Sequence, residues 1–128
     1  YLADRSSRRV MLRGGAIAVF ACIAAVLLQY AAPVLADSLW GMPVLYFVLS
    51  VGHAGVRIGR KTYLVDMTEG DTRTDYVSVS NSAIGVMLLV AGGLCALLAS
   101  ISVTLTLLVL AVAGLLGVWS VWRLPEVE

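Results

Sequence analysis

Four stretches of the chain, residues 14–36, 38–56, 83–100 and 103–122, contain no Asp, Glu, Lys or Arg. The second is uncharged unless His53 is protonated. Each is roughly 18–23 residues long, enough to cross a hydrocarbon core of about 30 Å at about 1.5 Å per residue. Lipid offers backbone N–H and C=O groups no partner, so each run is expected to be helical. None of the runs alternates with the two-residue period of a strand. The whole chain is 60% hydrophobic and 13% charged, against about 25% charged in soluble domains. The expected fold class is an all-α membrane protein of four transmembrane helices in a single domain.

The connectors set the topology. Residues 32–38 make a short turn with one charge, Asp37, and residues 100–102 make a tight uncharged turn. Residues 57–82 are a long polar stretch. Four spans put the 1–13 segment, the 57–82 connector and the 123–128 tail on one side. All nine basic residues fall there: Arg5, Arg8, Arg9, Arg13, Arg57, Arg60, Lys61, Arg73 and Arg123. Lys/Arg bias sets orientation, so both termini are expected in the cytoplasm. Trp40, Trp119 and Trp122 fall near span ends, where interfacial aromatics belong.

A rival reading starts at Met11, where Arg13, an apolar run and Val34-Leu35-Ala36 imitate a secretory signal. The run is long for a signal and a second span follows at once, which favours the span. A chain that opens on Tyr1 reads as a processed product or as part of a longer one. Cys22 and Cys95 sit inside apolar runs, away from any metal-ligand spacing, and read as small packing residues. No phosphate loop, metal cluster or nucleophile-base set is present, and a net charge of +1 makes no strong field for nucleic acid. No enzyme activity, cofactor or metal is expected.

Tyr46, Ser50, His53 and Arg57 are spaced 4, 3 and 4 apart, which puts them within about 60° on one helix face. Polar groups inside a membrane usually face a bundle interior or an aqueous cavity. In the plainer alternative, Ser50 bonds its own helix, His53 pairs with a neighbour and Arg57 snorkels to the head groups. The third helix is expected to begin before its apolar run, capped by Thr72 or Thr74, with Asp75 suiting the dipole of the first turn. Ser78, Asn81 and Ser82 then share a face with Gly85, either lining a cavity or bonding to a neighbouring helix. Gly55/Gly59, Gly92/Ala96 and Ala113/Gly117 are small pairs that let helices approach closely. The connector mixes Arg57, Arg60, Lys61 and Arg73 with Asp66, Glu69, Asp71 and Asp75, which suggests weak local ion pairs.

Leu2-Ala3-Asp4-Arg5-Ser6-Ser7-Arg8-Arg9, just before a span, resembles the cytoplasmic signature loop of the major facilitator superfamily, with Ser7 where the family has a second glycine. The stretch Gly55-Val56-Arg57-Ile58-Gly59-Arg60-Lys61-Thr62-Tyr63-Leu64-Val65-Asp66, followed by Tyr76-Val77-Ser78-Val79-Ser80-Asn81-Ser82, is similar to the connector between helices 10 and 11 in bacterial members. The resemblance implies that the spans are helices 9 to 12 of a twelve-helix transporter in a bacterial inner membrane. It implies that Asp4, Arg5, Arg8 and Arg9 form a conformational gate against the other half. The alternative is that these arginines only orient the chain and touch lipid head groups. The resemblance further implies that helix 10 lines the cavity, which makes Tyr46, Ser50, His53 and Arg57 a candidate solute or gating surface. It assigns Arg60, Lys61 and Asp66 to the connector.

The expected partners are the lipid bilayer, the missing N-terminal transporter helices and an unknown small-molecule substrate. No Asp or Glu lies in any span, so residues for proton coupling are expected in the missing helices unless His53 serves as the proton carrier. Two rivals stand beside this reading. One is a small dimeric four-helix exporter, which needs a carboxylate that residues 14–36 lack. The other is a non-transporting membrane subunit or scaffold, which gives the signature loop no job.

Overall fold

A backbone that must satisfy itself in lipid forms helix wherever it can, and this one does so over almost its whole described length. The computed structural model describes residues 7–67 and 73–125. Within them the order is α1 (Ser7–Ala31), α2 (Pro33–Ala36), α3 (Gly41–Asp66), α4 (Arg73–Ile101) and α5 (Val103–Trp122), with no strand among the described residues. Four of these helices, all but α2, are long and apolar enough to cross a membrane. The chain is thus all-helical, with the make-up of a multi-pass membrane protein.

The helices outrun the apolar stretches. Apolarity marks where lipid is, whereas a helix continues into water until its sequence stops it. α1 begins at Ser7 and carries Arg8, Arg9 and Arg13 in its first turns. α3 continues past residue 56 to Asp66, a segment without proline. α4 begins at Arg73 with Asp75 in its first turn. Most of the polar 57–82 stretch is therefore helix and not loop. Thr72, one of the two expected caps, lies outside the described residues, as do Glu69 and Asp71.

Breaks occur where the chemistry requires them. Proline disfavours a helical conformation in the residue before it. Ala32 accordingly sits at φ −146°, ψ 64°, separating α1 from the single turn of α2. Ser38 closes the corner: its hydroxyl donates to the Leu35 carbonyl at 2.6 Å and accepts from the Gly41 N–H at 3.1 Å. A side chain at Gly41 would collide with the Leu35 carbonyl oxygen. At the other corner one extended residue, Ser102, separates α4 from α5. Its hydroxyl accepts from the Leu105 N–H at 3.3 Å and so caps α5.

α1 is the central helix. It packs along α3 and along α5, whereas α4 leans lightly on α5 and barely meets α3. The α1–α3 seam is backbone against backbone. A Cβ added at Gly14 would lie 2.7 Å from the Gly52 oxygen and 2.8 Å from the Val56 nitrogen. One at Gly52 would lie 2.8 Å from the Gly14 oxygen, and one at Gly59 would lie 3.0 Å from the Met11 nitrogen. The α1–α5 seam is a pair of knobs in gaps. Val118 fills the space over Gly15, and Val19 fills the space over Gly114. By contrast, Gly85, Gly92, Gly93 and Gly117 face open space.

This difference predicts a stability pattern. Gly14→Ala and Gly52→Ala should each destabilise the fold by about 1–3 kcal/mol, the usual range for overpacking. Gly92→Ala and Gly117→Ala should be neutral, or stabilising by at most about 1 kcal/mol from helix propensity. Reversible unfolding of the four variants by SDS in mixed micelles measures this, and equal losses at all four positions would refute the seam.

Candidate functional site

The glycine seam fixes the rotation of α3. Gly52, Val56 and Gly59 face α1, and the Tyr46, Ser50, His53, Arg57 stripe lies roughly 120° round the same helix. All four stripe residues line one open groove of about 870 Å³. Its floor is Ala18, Val19 and Cys22 of α1, its far wall is Leu110, Ala113 and Gly114 of α5, and Leu88 of α4 stands at its rim. The volume is that of a site for a small organic molecule. No acidic side chain lines it. A smaller cavity of about 230 Å³ adjoins it, sharing Cys22, Tyr46 and Leu49 and otherwise lined by apolar residues such as Met42, Leu45 and Leu107.

The stripe has a direction. The contacts of Gly14 with Gly55 and Val56 put Arg57 level with the arginine-bearing first turns of α1. Tyr46 is eleven residues further along, about 16 Å deeper at the helical rise. The groove is thus cationic at one end and apolar at mid-span. Ser50 turns its hydroxyl back on its own helix, donating to the Tyr46 carbonyl at 2.8 Å. It therefore follows the plainer of its two expectations for its proton while still standing in the groove wall. Tyr46, His53 and Arg57 are exposed, and their side chains make no hydrogen bond or ion pair among the described residues.

The other expected residues are spread over the basic end. Asp4 and Arg5 lie outside the described residues. Arg8 donates from Nη2 to the Trp122 carbonyl at 2.9 Å, and Arg9 is exposed on the first turns of α1. The last carbonyls of a helix lack intrahelical partners, which is what the Arg8 guanidinium supplies to α5. Arg60 is half-buried, and Lys61 and Asp66 are exposed on the last turns of α3. Ser78, Asn81 and Ser82 are exposed on α4 and do not line the groove.

The sequence reading did not single out several residues that build the site. Gly14 and Gly52 set the orientation of α3, and Leu110 and Gly114 form the second wall beside Ala113, which spacing marked only as one of a small pair. Buried Tyr63 donates its hydroxyl to the Pro125 carbonyl at 3.2 Å and ties the end of α3 to the chain beyond α5. One signal was available: Ser7, Gly14 and Ala21 on α1, and Gly52 and Gly59 on α3, recur at intervals of seven.

Among the described residues no group of three His, Cys, Asp or Glu is placed to hold a metal ion. No protein-family model, curated protein or solved structure matches the chain.

If the groove admits water, thiols placed in it will react, because the thiolate is the reactive form and needs a polar surround. In a Cys22→Ala, Cys95→Ala background, Ser50→Cys and His53→Cys should react with a membrane-impermeant methanethiosulfonate more than tenfold faster than Leu108→Cys on the outer face of α5. Equal rates at the three positions would mean that lipid fills the groove.

Proposed function

We propose that these four helices are the C-terminal portion, helices 9 to 12, of a secondary active transporter of the major facilitator superfamily. It would move a small solute across a bacterial inner membrane by alternating access. The observation that carries this reading is the open groove with the Tyr46, Ser50, His53, Arg57 stripe on its wall. Lipid makes polar groups at such depth costly, so they are retained where they serve a pathway. In transporters of this kind the solute site lies between two repeats near the midplane, and each repeat supplies one wall. Here the groove is lined by α1, α3, α5 and Leu88 of α4 and is open to one side; in this reading the N-terminal helices would close it.

In this reading the basic end, with Arg8, Arg9, Arg13, Arg57, Arg60 and Lys61, faces the cytoplasm. Arg8 holds the start of α1 to the end of α5, and Asp4, Arg5, Arg8 and Arg9 would gate against the other half. His53 offers the one titratable imidazole on the pathway. The reading involves no enzyme chemistry and no cofactor. A purely structural subunit would leave the stripe without work.

An antibody against residues 122–128 tests the reading in native membranes. Four helices of twelve predict a polypeptide roughly three times longer than 128 residues. A band at 13.6 kDa with no co-purifying helical partner would refute the transporter portion. So would solute flux through the 128-residue chain alone in liposomes.

A further inference from the structure

We infer that the groove binds an amphipathic organic anion: a carboxylate on a single apolar body, with the carboxylate at Arg57 and the body lying toward Tyr46. Three observations converge on that class. The first is charge. Arg57 and His53 stand one turn apart on the groove wall, no acidic side chain lines it, and Arg57 has no ion-pair partner among the described residues. A guanidinium fork matches a carboxylate with two parallel hydrogen bonds, and the match is stronger where water is scarce.

The second is the polarity gradient. Beyond Ser50, whose hydroxyl proton is committed to the Tyr46 carbonyl, the lining is apolar side chains and the Cys22 thiol, with the Tyr46 phenol as its hydroxyl. The adjoining apolar cavity continues that path past Tyr46. A ligand that is polar along its whole length would desolvate its far end there against no partner. The third is size. About 870 Å³ suits one small molecule, with room for an aryl or short alkyl body.

The inference names the solute class for the proposed function and rests on it only for the statement that the anion is carried. Binding is read without transport, so the two can fail separately. The full chain is placed in phosphatidylcholine nanodiscs, and radiolabelled 4-phenylbutyrate is measured by equilibrium dialysis against empty discs. Saturable binding is expected. Arg57→Gln should weaken it at least tenfold. Arg123→Gln, the same charge change at a residue stacked 3.9 Å from the Trp119 ring centroid and outside the groove, should leave it within twofold. Ala113→Trp, which fills the groove from its exposed α5 wall, should abolish it while circular dichroism and gel filtration match the parent chain. The neutral isostere 4-phenylbutyramide should not compete.

The inference is overturned by any of four results: no saturable binding, equal competition by the amide or by 4-phenylbutylamine, equal losses in Arg57→Gln and Arg123→Gln, or displacement of the label when phosphatidylglycerol is added to the discs. The last result would make a bilayer phospholipid the occupant.

Discussion

The bundle depends on one close approach, that of the α1 and α3 backbones at Gly14, Gly52 and Gly59. In lipid no hydrophobic gain drives two apolar helices together, because the tails they displace are as apolar as leucine. What remains is dispersion between atoms in direct contact, and it falls off within a fraction of an ångström. Removing side chains at the crossing is the way to bring two helices that near. The glycine spacing of seven keeps the contact on one stripe over two turns of each helix, as a narrow seam needs. Every later feature inherits this geometry, since the seam fixes which face of α3 is left to look elsewhere.

The same argument explains why α4 differs. Its apolar window has no buried residue, although Gly85, Gly92 and Gly93 are as small as the seam glycines. Small residues permit close approach but do not supply the opposing surface. Gly52 meets Gly14 across the seam, whereas Gly92 meets nothing. α4 is therefore positioned chiefly by its corner, where Ser102 ends one helix and caps the next, and by its light contact with α5. The consequence bears on the proposed groove. Because α4 does not close on α3, the polar face of α3 stays accessible from the side.

These contrasts show which parts of the molecule were readable from the residues. The spans were readable because lipid imposes a rule that acts on each segment alone. The Tyr46, Ser50, His53, Arg57 alignment was readable because it is a property of one helix. The groove's second wall was not, because which face of α5 meets α1 depends on Val19 and Val118 finding the gaps over Gly114 and Gly15. That is a pairing between segments about a hundred residues apart in sequence. Among the three small pairs picked out from spacing, Gly55/Gly59 lies on the seam, while Gly92 and Gly117 face open space. Helix ends also escaped a hydropathy reading. The 57–82 stretch is polar enough to suggest a loop, yet most of it continues α3 and α4. Arg8, expected in a gate against a distant half, also donates to the local Trp122 carbonyl, a contact that depends on how the ends of α1 and α5 meet.

The asymmetry along the groove follows from where the chain places its charges. The described basic residues, Arg8, Arg9, Arg13, Arg57, Arg60, Lys61, Arg73 and Arg123, lie at one end of the helices together with Asp66 and Asp75, whereas the opposite end carries Asp37 and neutral hydroxyls such as Thr104, which donates to Gln29 at 3.3 Å. Arg57 is the member of that basic set on the face leading into the span, and His53 repeats its position one turn deeper. An anion drawn to the basic end would therefore meet a guanidinium at the groove's entrance, then an imidazole, then a phenol near mid-span. Each step replaces lost hydration with fewer polar contacts and more apolar surface. In the proposed site a cation would meet the Arg57 guanidinium and no acidic side chain in the groove wall, the reverse of what the wall would offer an anion.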